Sequence, residues 1–445
     1  MIDIFFLGAL LIVLIQNVLP LLAAGGLAVC MARGFAGWLV QSRKFRRLEI
    51  AILLCVGYWL LNYEWSTRSF DNLISYQFLR RDGALLVTYP AFFCLLHWRM
   101  SRRYFRAFWF SFLTLLSFIA GCAALVLGNF PYADRFEVLH IVGQKAEFMS
   151  STLFYGWYLA HDTTGGVYTV ACLVLLAHLV EIKGSRKFRV YLWAMMCCCL
   201  GGLALTYSRS GYVALMAGAL VVLPIRQWRK TFKIGAALAI PLVLVLLWNS
   251  SVLDRIDTIT DPNWGTNATR FILWRDAWYD FSVSPLIGIG FGRYNDLRRD
   301  FKGVPGLVYV ATAGDIENND STAHNSYLHF LAEGGVLGLL VTMFVWWSAW
   351  SEVSYLERRL SRSFIRPFHR AAKGSLAAML VYSNFDHSLG SGSNVLLLMS
   401  LVGLTLAISR VELAEIKRNI HQKMVIPSGG IPRVSTASRF RRTIR

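Results

Sequence analysis

Ser321-Thr322-Ala323-His324-Asn325-Ser326-Tyr327-Leu328 is where the one long polar insertion of a hydrophobic chain ends and a new apolar run begins. The insertion starts at Asn249, and the apolar run continues to about Trp350. A Ser or Thr just ahead of an apolar run reads as a helix N-cap, its side-chain oxygen accepting from an otherwise unpaired N–H. That reading puts His324 in the first helical turn, beside orphan N–H groups and the positive end of the helix dipole. Such a position suits a neutral imidazole, the form a general base needs. A histidine that merely helps to cap the helix fits the same local pattern, and position alone leaves both readings open.

Around that turn the 445-residue chain is 56% hydrophobic, 14% aromatic and only 16% charged. Several apolar runs reach the roughly 18–20 residues that cross a bilayer, a composition that excludes a soluble domain. The chain reads as an all-α, polytopic integral membrane protein of 11 or 12 spans. Met1-Ile2-Asp3-Ile4 lacks the basic region of a cleavable signal, so the first apolar run reads as a retained span. The net charge of +19 invites a nucleic-acid partner, but its distribution argues otherwise. Of the 45 Lys and Arg residues, 32 fall in clusters at 33–47, 99–106, 183–189, 226–233, 351–373 and 410–445. These lie on alternate connections, as the positive-inside rule expects for cytoplasmic segments. The basicity orients the chain in its membrane. Cys30, Cys55, Cys94, Cys122, Cys172, Cys197, Cys198 and Cys199 all lie in or beside apolar runs. They read as small packing residues, with neither a disulfide nor a metal site expected.

Four regions follow: spans with short loops over 1–249, a large loop over 250–323, further spans over 324–411, and a basic tail over 412–445 that reads as disordered. In the first region, 3–32 is one kinked span or two short ones. Spans at 48–62, 83–98, 107–128 and 166–182 follow, then a run at 190–225 long enough for two crossings and a span at about 234–249. After the large loop come spans at 325–350, 374–390 and 394–409. With the basic clusters inside, the polar connections 63–82, 129–165 and 250–323 lie outside, together with the break at Ser208-Arg209-Ser210-Gly211 and the turn at Asp386.

Arg209 interrupts an apolar run, which costs about 2.5–3.5 kcal/mol at the bilayer centre and less near an interface. Either an anionic partner compensates it or it snorkels at the turn between two helices. The large loop holds ten acidic and seven basic residues, so it is no polybasic mat. Arg270 has no acidic neighbour within three residues, and it opens a stretch where Phe271, Trp274, Trp278 and Phe281 recur at helical spacing. That pattern predicts an amphipathic helix in the membrane interface, its aromatic stripe against lipid or protein, with Arg270 at its N-terminal end facing either a lipid phosphate or water. Pro285-Leu286-Ile287-Gly288-Ile289-Gly290-Phe291-Gly292 has glycines at nucleotide-loop spacing but no strand–turn–helix context, and reads as a tight connection. His140, His161 and Asp162 read as ordinary loop residues. Asp386 either orients His324, pairs with an arginine, or is a solvated helix-end charge.

Ser208-Arg209-Ser210-Gly211, Arg270 with Trp274 and Ala277, Pro285 to Gly290, and His324-Asn325-Ser326-Tyr327-Leu328 with Glu333-Gly334-Gly335, in that order, resemble the O-antigen ligase/polymerase superfamily. The resemblance is densest over 190–350, and the position of Asp386 is more like the ligase (WaaL type). It implies a GT-C-type glycosyltransferase that moves a glycan from undecaprenyl diphosphate to a sugar hydroxyl of the lipid A-core, at the periplasmic face of the bacterial inner membrane, without cofactor or metal. It also implies a role for each candidate. His324 would be the general base in an inverting displacement. Arg209 and Arg270, with Arg275 in reserve, would bind the diphosphate, and Asp386 would support the site. Guanidinium groups suit such a leaving group because they are planar, bidentate and permanently charged. Alternatives are the polymerase, whose acceptor is a second lipid-linked glycan, and a lipid-glycan flippase or transporter. The latter calls for internal repeats and midplane charges that the sequence does not display.

Overall fold

The computed structural model describes residues 20–41, 46–67, 84–98, 100–127, 142–145, 152–154, 161–181, 185–206, 208–223, 265–294, 322–361, 363–387, 389 and 392–425. Within them the chain forms eleven helices. They are α1 (Pro20–Gln41), α2 (Arg47–Thr67), α3 (Ala84–Leu95), α4 (Arg102–Leu127), α5 (His161–Glu181) and α6 (Arg186–Leu205), then α7 (Arg209–Val222), α8 (Gly265–Val283), α9 (Ser326–Arg359), α10 (Arg366–Tyr382) and α11 (Gly392–Val425). One small antiparallel ribbon, β1 (Val142–Lys145) with β2 (Thr152–Phe154), departs from an all-helical chain. Among the described residues, five helical stretches are long and apolar enough to cross a membrane: Arg102–Ala124, Thr163–Glu181, Arg186–Leu205, Ser326–Arg359 and Asn394–Gln422. The protein is a polytopic helical membrane protein. The expected span at 234–249, the N-terminal part of 3–32 and most of the polar connections lie outside the described residues.

Several boundaries differ from the sequence reading. Helix α1 continues to Gln41 through the segment expected to be a basic loop, and α5 begins at His161, so His161 and Asp162 are helical. His140 lies outside the described residues. Segment 351–373, expected to be a basic connection, is largely the end of α9 and the start of α10, and α11 carries on to Val425 into the supposed tail. In α9, α10 and α11 the reason is that Lys, Arg and Glu are good helix formers, so a helix does not stop where its apolar run stops; in α1 the continuation over 33–41 is itself mostly apolar. Cys197 and Cys198 are exposed, while the other six cysteines are buried.

The two ends of the bundle differ in chemistry. At one end the basic segments are bound by carboxylates. Arg410 holds Glu352 with two nitrogens, at 2.8 and 3.0 Å, and Glu49 with a third contact at 3.0 Å, joining α11, α9 and α2. Arg370 lies 2.8 Å from Glu181 and 3.5 Å from Glu357, and Lys373 lies 3.0 Å from Glu357, joining α10, α5 and α9. Bidentate, partly desolvated pairs of this kind fix register as well as charge. Since α5, α7 and α9 all run toward this end, the starts of α7 and α9 and the end of α10 collect at the other. There is a close approach between α7 and α10 where Gly218 faces Gly374: a Cβ on Gly218 would lie 2.7 Å from the Gly374 carbonyl oxygen. Small residues permit such contact between membrane helices.

Helix α9 is broken at Gly335, which has a φ of 61° and a ψ of −164°. That backbone region is accessible essentially to glycine alone. A break inside a membrane helix strands backbone groups that lipid cannot satisfy. Here the loop after α8 takes them over. Val336 and Leu337 N–H donate to the Pro285 and Leu286 carbonyls (2.8 and 3.2 Å), and the Ala332 and Glu333 carbonyls accept from Ile289 and Gly290 N–H (2.9 and 3.0 Å). The glycine-spaced stretch is therefore the complement of the kink. From α2, Asn62 donates to the Ile287 carbonyl (2.7 Å), Tyr58 donates to the Gly334 carbonyl, and Trp59 packs between Phe291 and Phe330. Gly335→Ala should lower stability by about 1–3 kcal/mol, since alanine cannot hold this backbone without strain. Its Cβ would also overlap the Leu286 carbonyl. A thermal melt of the detergent-solubilised protein reads the loss, and an unchanged midpoint would contradict the account.

Candidate functional site

The first turn of α9 is built differently from the sequence reading. Asn325 is the N-cap, its Oδ1 accepting from Tyr327 and Leu328 N–H (3.0 and 3.1 Å). Amide side chains cap as well as hydroxyls do, and this one stands adjacent to the helix. His324 consequently precedes the helix instead of lying in its first turn. It is the one non-glycine residue with positive φ among those described, at 44°. Its N–H reaches Thr322 Oγ1 at 3.4 Å. Its side chain is 37% exposed, with Nδ1 3.7 Å from Asp386 Oδ1. That is ion-pair distance, longer than a hydrogen bond.

Asp386 is held by its own surroundings. Its Oδ1 accepts from His387 N–H at 2.8 Å, and its carbonyl accepts from Ser326 Oγ at 3.1 Å. Ser326 N–H donates to the Ser383 carbonyl (2.8 Å), and Asn325 Nδ2 donates to the Asn384 carbonyl (3.2 Å). The turn after α10 is thus tied, residue by residue, to the turn before α9.

The same turn reaches Arg209. Arg209 is the first residue of α7 and half-buried, directly after the N-cap Ser208, whose Oγ accepts from Gly211 N–H at 3.3 Å. Ser208 Oγ lies 3.1 Å from the hydroxyl of Tyr382, a fully buried residue that closes α10. Arg209 and His324 therefore stand at the same end of the bundle, connected through Ser208, Tyr382, Ser383 and Ser326.

Arg270 and Arg275 are carried by α8. That helix starts at Gly265, so Arg270 sits in its second turn and not at its N-terminal end. The aromatic stripe is not the face that packs on the protein: Ile272, Leu273 and Ala277 are buried, while Phe271 and Trp278 are exposed and Trp274 and Phe281 half-buried. Leu273 and Ala277 join Tyr294, Ala323 and Ala332 in one small core, which seats α8 against the start of α9. Leu273 and Ala277 make the protein contact, and the Phe271 and Trp278 rings stay exposed. Arg270 is half-buried. Arg275 is 54% exposed and 3.8 Å from Asp276 Oδ1. Exposed pairings of that kind carry little energetic weight. The structure thus joins His324, Asp386 and the start of α7 through named contacts, sets Arg270 on a helix packed beside them, and leaves Arg275 peripheral.

Three titratable residues that the sequence reading did not assign lie directly behind His324. His329 Nε2 is 3.3 Å from Glu333 Oε2, with both side chains 1% exposed, and the His329 and His387 rings are 4.0 Å apart. The four-residue spacing of His329 and Glu333 on a helix was the available signal, because it places two polar groups on one face. Burial, then the neighbouring His329 and His324, pushes the His387 pKa well below its ordinary 6.5. A depressed histidine binds its proton in the unfolded chain first, so its contribution to stability is intact above about pH 6.5 and is lost as pH falls from there. Melting temperature should fall on acidification, and more gently in His387→Asn; an identical pH dependence in both would contradict this.

The chain is a polytopic helical membrane protein, and one end of its bundle brings together His324, Asp386 and the Arg209-bearing start of α7. More particularly, residues 193–343, roughly a third of the chain, match the family model described as O-Antigen ligase. The matched stretch contains Arg209, Arg270 and His324; Asp386 lies beyond it. No curated protein matches the chain.

Proposed function

We propose that this protein is an O-antigen ligase: a metal-independent glycosyltransferase of the GT-C type, related to the WaaL enzymes, in the bacterial inner membrane. It transfers a glycan from undecaprenyl diphosphate to a sugar hydroxyl of the lipid A-core at the periplasmic face. The observation that carries this reading is the joining of the His324–Asp386 pair to the Arg209-bearing helix through the turn after α10. A base and an anion-binding group on one wet end are what transfer from a lipid diphosphate requires.

Asp386 faces Nδ1 and so favours a proton there, leaving Nε2 of His324 to act as base. Nε2 takes the proton of the acceptor hydroxyl as its oxygen bonds to the anomeric carbon from the face opposite the diphosphate. The anomeric carbon–oxygen bond breaks, and the electron pair leaves with undecaprenyl diphosphate. Arg209 and Arg270 stabilise the charge that grows on that leaving group. Arg275, more exposed and beside Asp276, is a secondary contact. One displacement inverts the anomeric centre.

Deletion of the gene in a smooth Gram-negative host, followed by a lipopolysaccharide gel, tests the assignment. The expected result is loss of the whole ladder with lipid-linked polymer accumulating. Core carrying a single repeat unit would assign the polymerase reaction instead, and unaltered lipopolysaccharide would overturn both.

A further inference from the structure

His324 is held in a positive-φ backbone conformation that is strained for a non-glycine residue, and such strain persists only where the surroundings over-determine it. The cap by Asn325 fixes the residues after His324. What fixes the residue before it is a side chain that the reaction itself does not use. Ala323, fully buried, directs its N–H at Nδ1 of His329, 3.5 Å away. An N–H donor toward Nδ1 requires a lone pair there, which puts the His329 proton on Nε2. That nitrogen faces Glu333 Oε2 at 3.3 Å.

The other oxygen of that carboxylate has its own task. Glu333 Oε1 accepts from Tyr294 N–H at 3.1 Å, at the end of the loop that complements the Gly335 kink. Tyr294 packs its ring, tilted by 60°, against His329 with centroids 5.2 Å apart, and its hydroxyl donates to the Leu273 carbonyl of α8 at 2.8 Å. One buried carboxylate thus bonds the loop through one oxygen and holds the other at ion-pair distance from the histidine.

We propose that His329 and Glu333 are positioning residues for His324: the carboxylate sets the His329 tautomer, and His329 Nδ1 anchors Ala323 N–H and with it the strained backbone that aims the His324 imidazole. Neither residue touches substrate. The arrangement also makes the aim of His324 depend on the seating of the 284–294 loop, because Glu333 serves both. The kinetic part of this inference rests on the base role given to His324; the structural part does not.

The test uses the full-length protein in nanodiscs with three variants. His329→Leu removes the acceptor, whereas His329→Asn returns an oxygen to about the place of Nδ1. The isosteric Glu333→Gln turns an amide N–H₂ toward the His329 proton or gives up the acceptor for Tyr294. His329→Leu and Glu333→Gln should each lower kcat by about 10- to 100-fold through misaim of the base. Donor KM should hold in both, and His329→Asn should recover most of the loss. Wild-type kcat in His329→Leu or Glu333→Gln, or equal losses in His329→Leu and His329→Asn, would overturn the proposal. If His329→Leu does not fold, Glu333→Gln carries the kinetic arm alone.

A second readout needs no transfer reaction: the rate at which diethyl pyrocarbonate carbethoxylates His324, followed by peptide mass spectrometry. Release of the turn should speed modification in His329→Leu and Glu333→Gln and leave it near wild type in His329→Asn. Equal rates in all four proteins would overturn the inference. Absence of any glycan transfer by the wild-type protein, with these rates ordered as expected, would overturn only the ligase reading.

Discussion

His324→Ala is expected to lower kcat for glycan transfer by roughly 10²- to 10⁴-fold, the range a positioned general base supplies. Each factor of ten corresponds to about 1.4 kcal/mol of barrier. The fold should survive, because the side chain is 37% exposed and its nearest charged partner, Asp386, is independently held by His387 N–H and Ser326. Alanine has no easier route to positive φ than histidine, so the backbone strain stays in place. A melt near wild type with transfer gone would therefore separate chemistry from folding. Transfer at the wild-type rate by His324→Ala would remove the base assignment. Asp386→Asn should cost less than His324→Ala, since it leaves the imidazole in place and weakens only its orientation.

Arg209→Ala and Arg270→Ala are each expected to reduce kcat/KM for the lipid-diphosphate donor by about 10²- to 10³-fold, the scale of losing one preorganised charge contact at the reacting centre. Lysine at position 209 should restore only part of this, because a point charge cannot reproduce the two parallel N–H contacts of a guanidinium. The two positions differ in setting, which gives a useful control. Arg209 is fixed at a capped helix start that Tyr382 buttresses, so Tyr382→Phe, which removes the contact to Ser208, should mimic a fraction of the Arg209→Ala defect. Arg270 depends on α8 sitting against α9 and should be indifferent to Tyr382→Phe. The double variant Tyr382→Phe/Arg270→Ala should then be additive, as separate sites are. Donor kinetics unchanged in both Arg209→Ala and Arg270→Ala would refute diphosphate binding by these residues.

Where sequence and structure part, the cause is shared. The pattern of residues points to a hydroxyl before His324 as the cap, whereas the adjacent Asn325 wins because its short amide reaches two N–H groups at once. The rings of α8 recur at helical spacing, which leaves open what they face, and the structure packs Leu273 and Ala277 on the protein with Phe271 and Trp278 exposed. Periodicity reveals that a helix has an apolar side but not what lies against it. His329 and Glu333 stand four apart on an apolar helix, but nothing local shows that Tyr294 and Ala323 would come to meet them.

By itself, the sequence determined that this chain crosses a membrane many times, which segments lie at its basic end, where the α6–α7 break falls, and which histidine and arginines stand at the other end. Those are properties of neighbours along the chain: hydropathy over a helix length, charge on alternate connections, and polar residues interrupting apolar runs. Only the tertiary structure decided that the glycine-spaced loop repairs the break at Gly335, that His324 is strained and outside its helix, and that Tyr382 and Ser326 link the start of α7 to the His324 turn. Each of those depends on groups many residues apart in the chain meeting at one backbone N–H or one hydroxyl. That meeting is set by how the helices pack, and no window of sequence contains it.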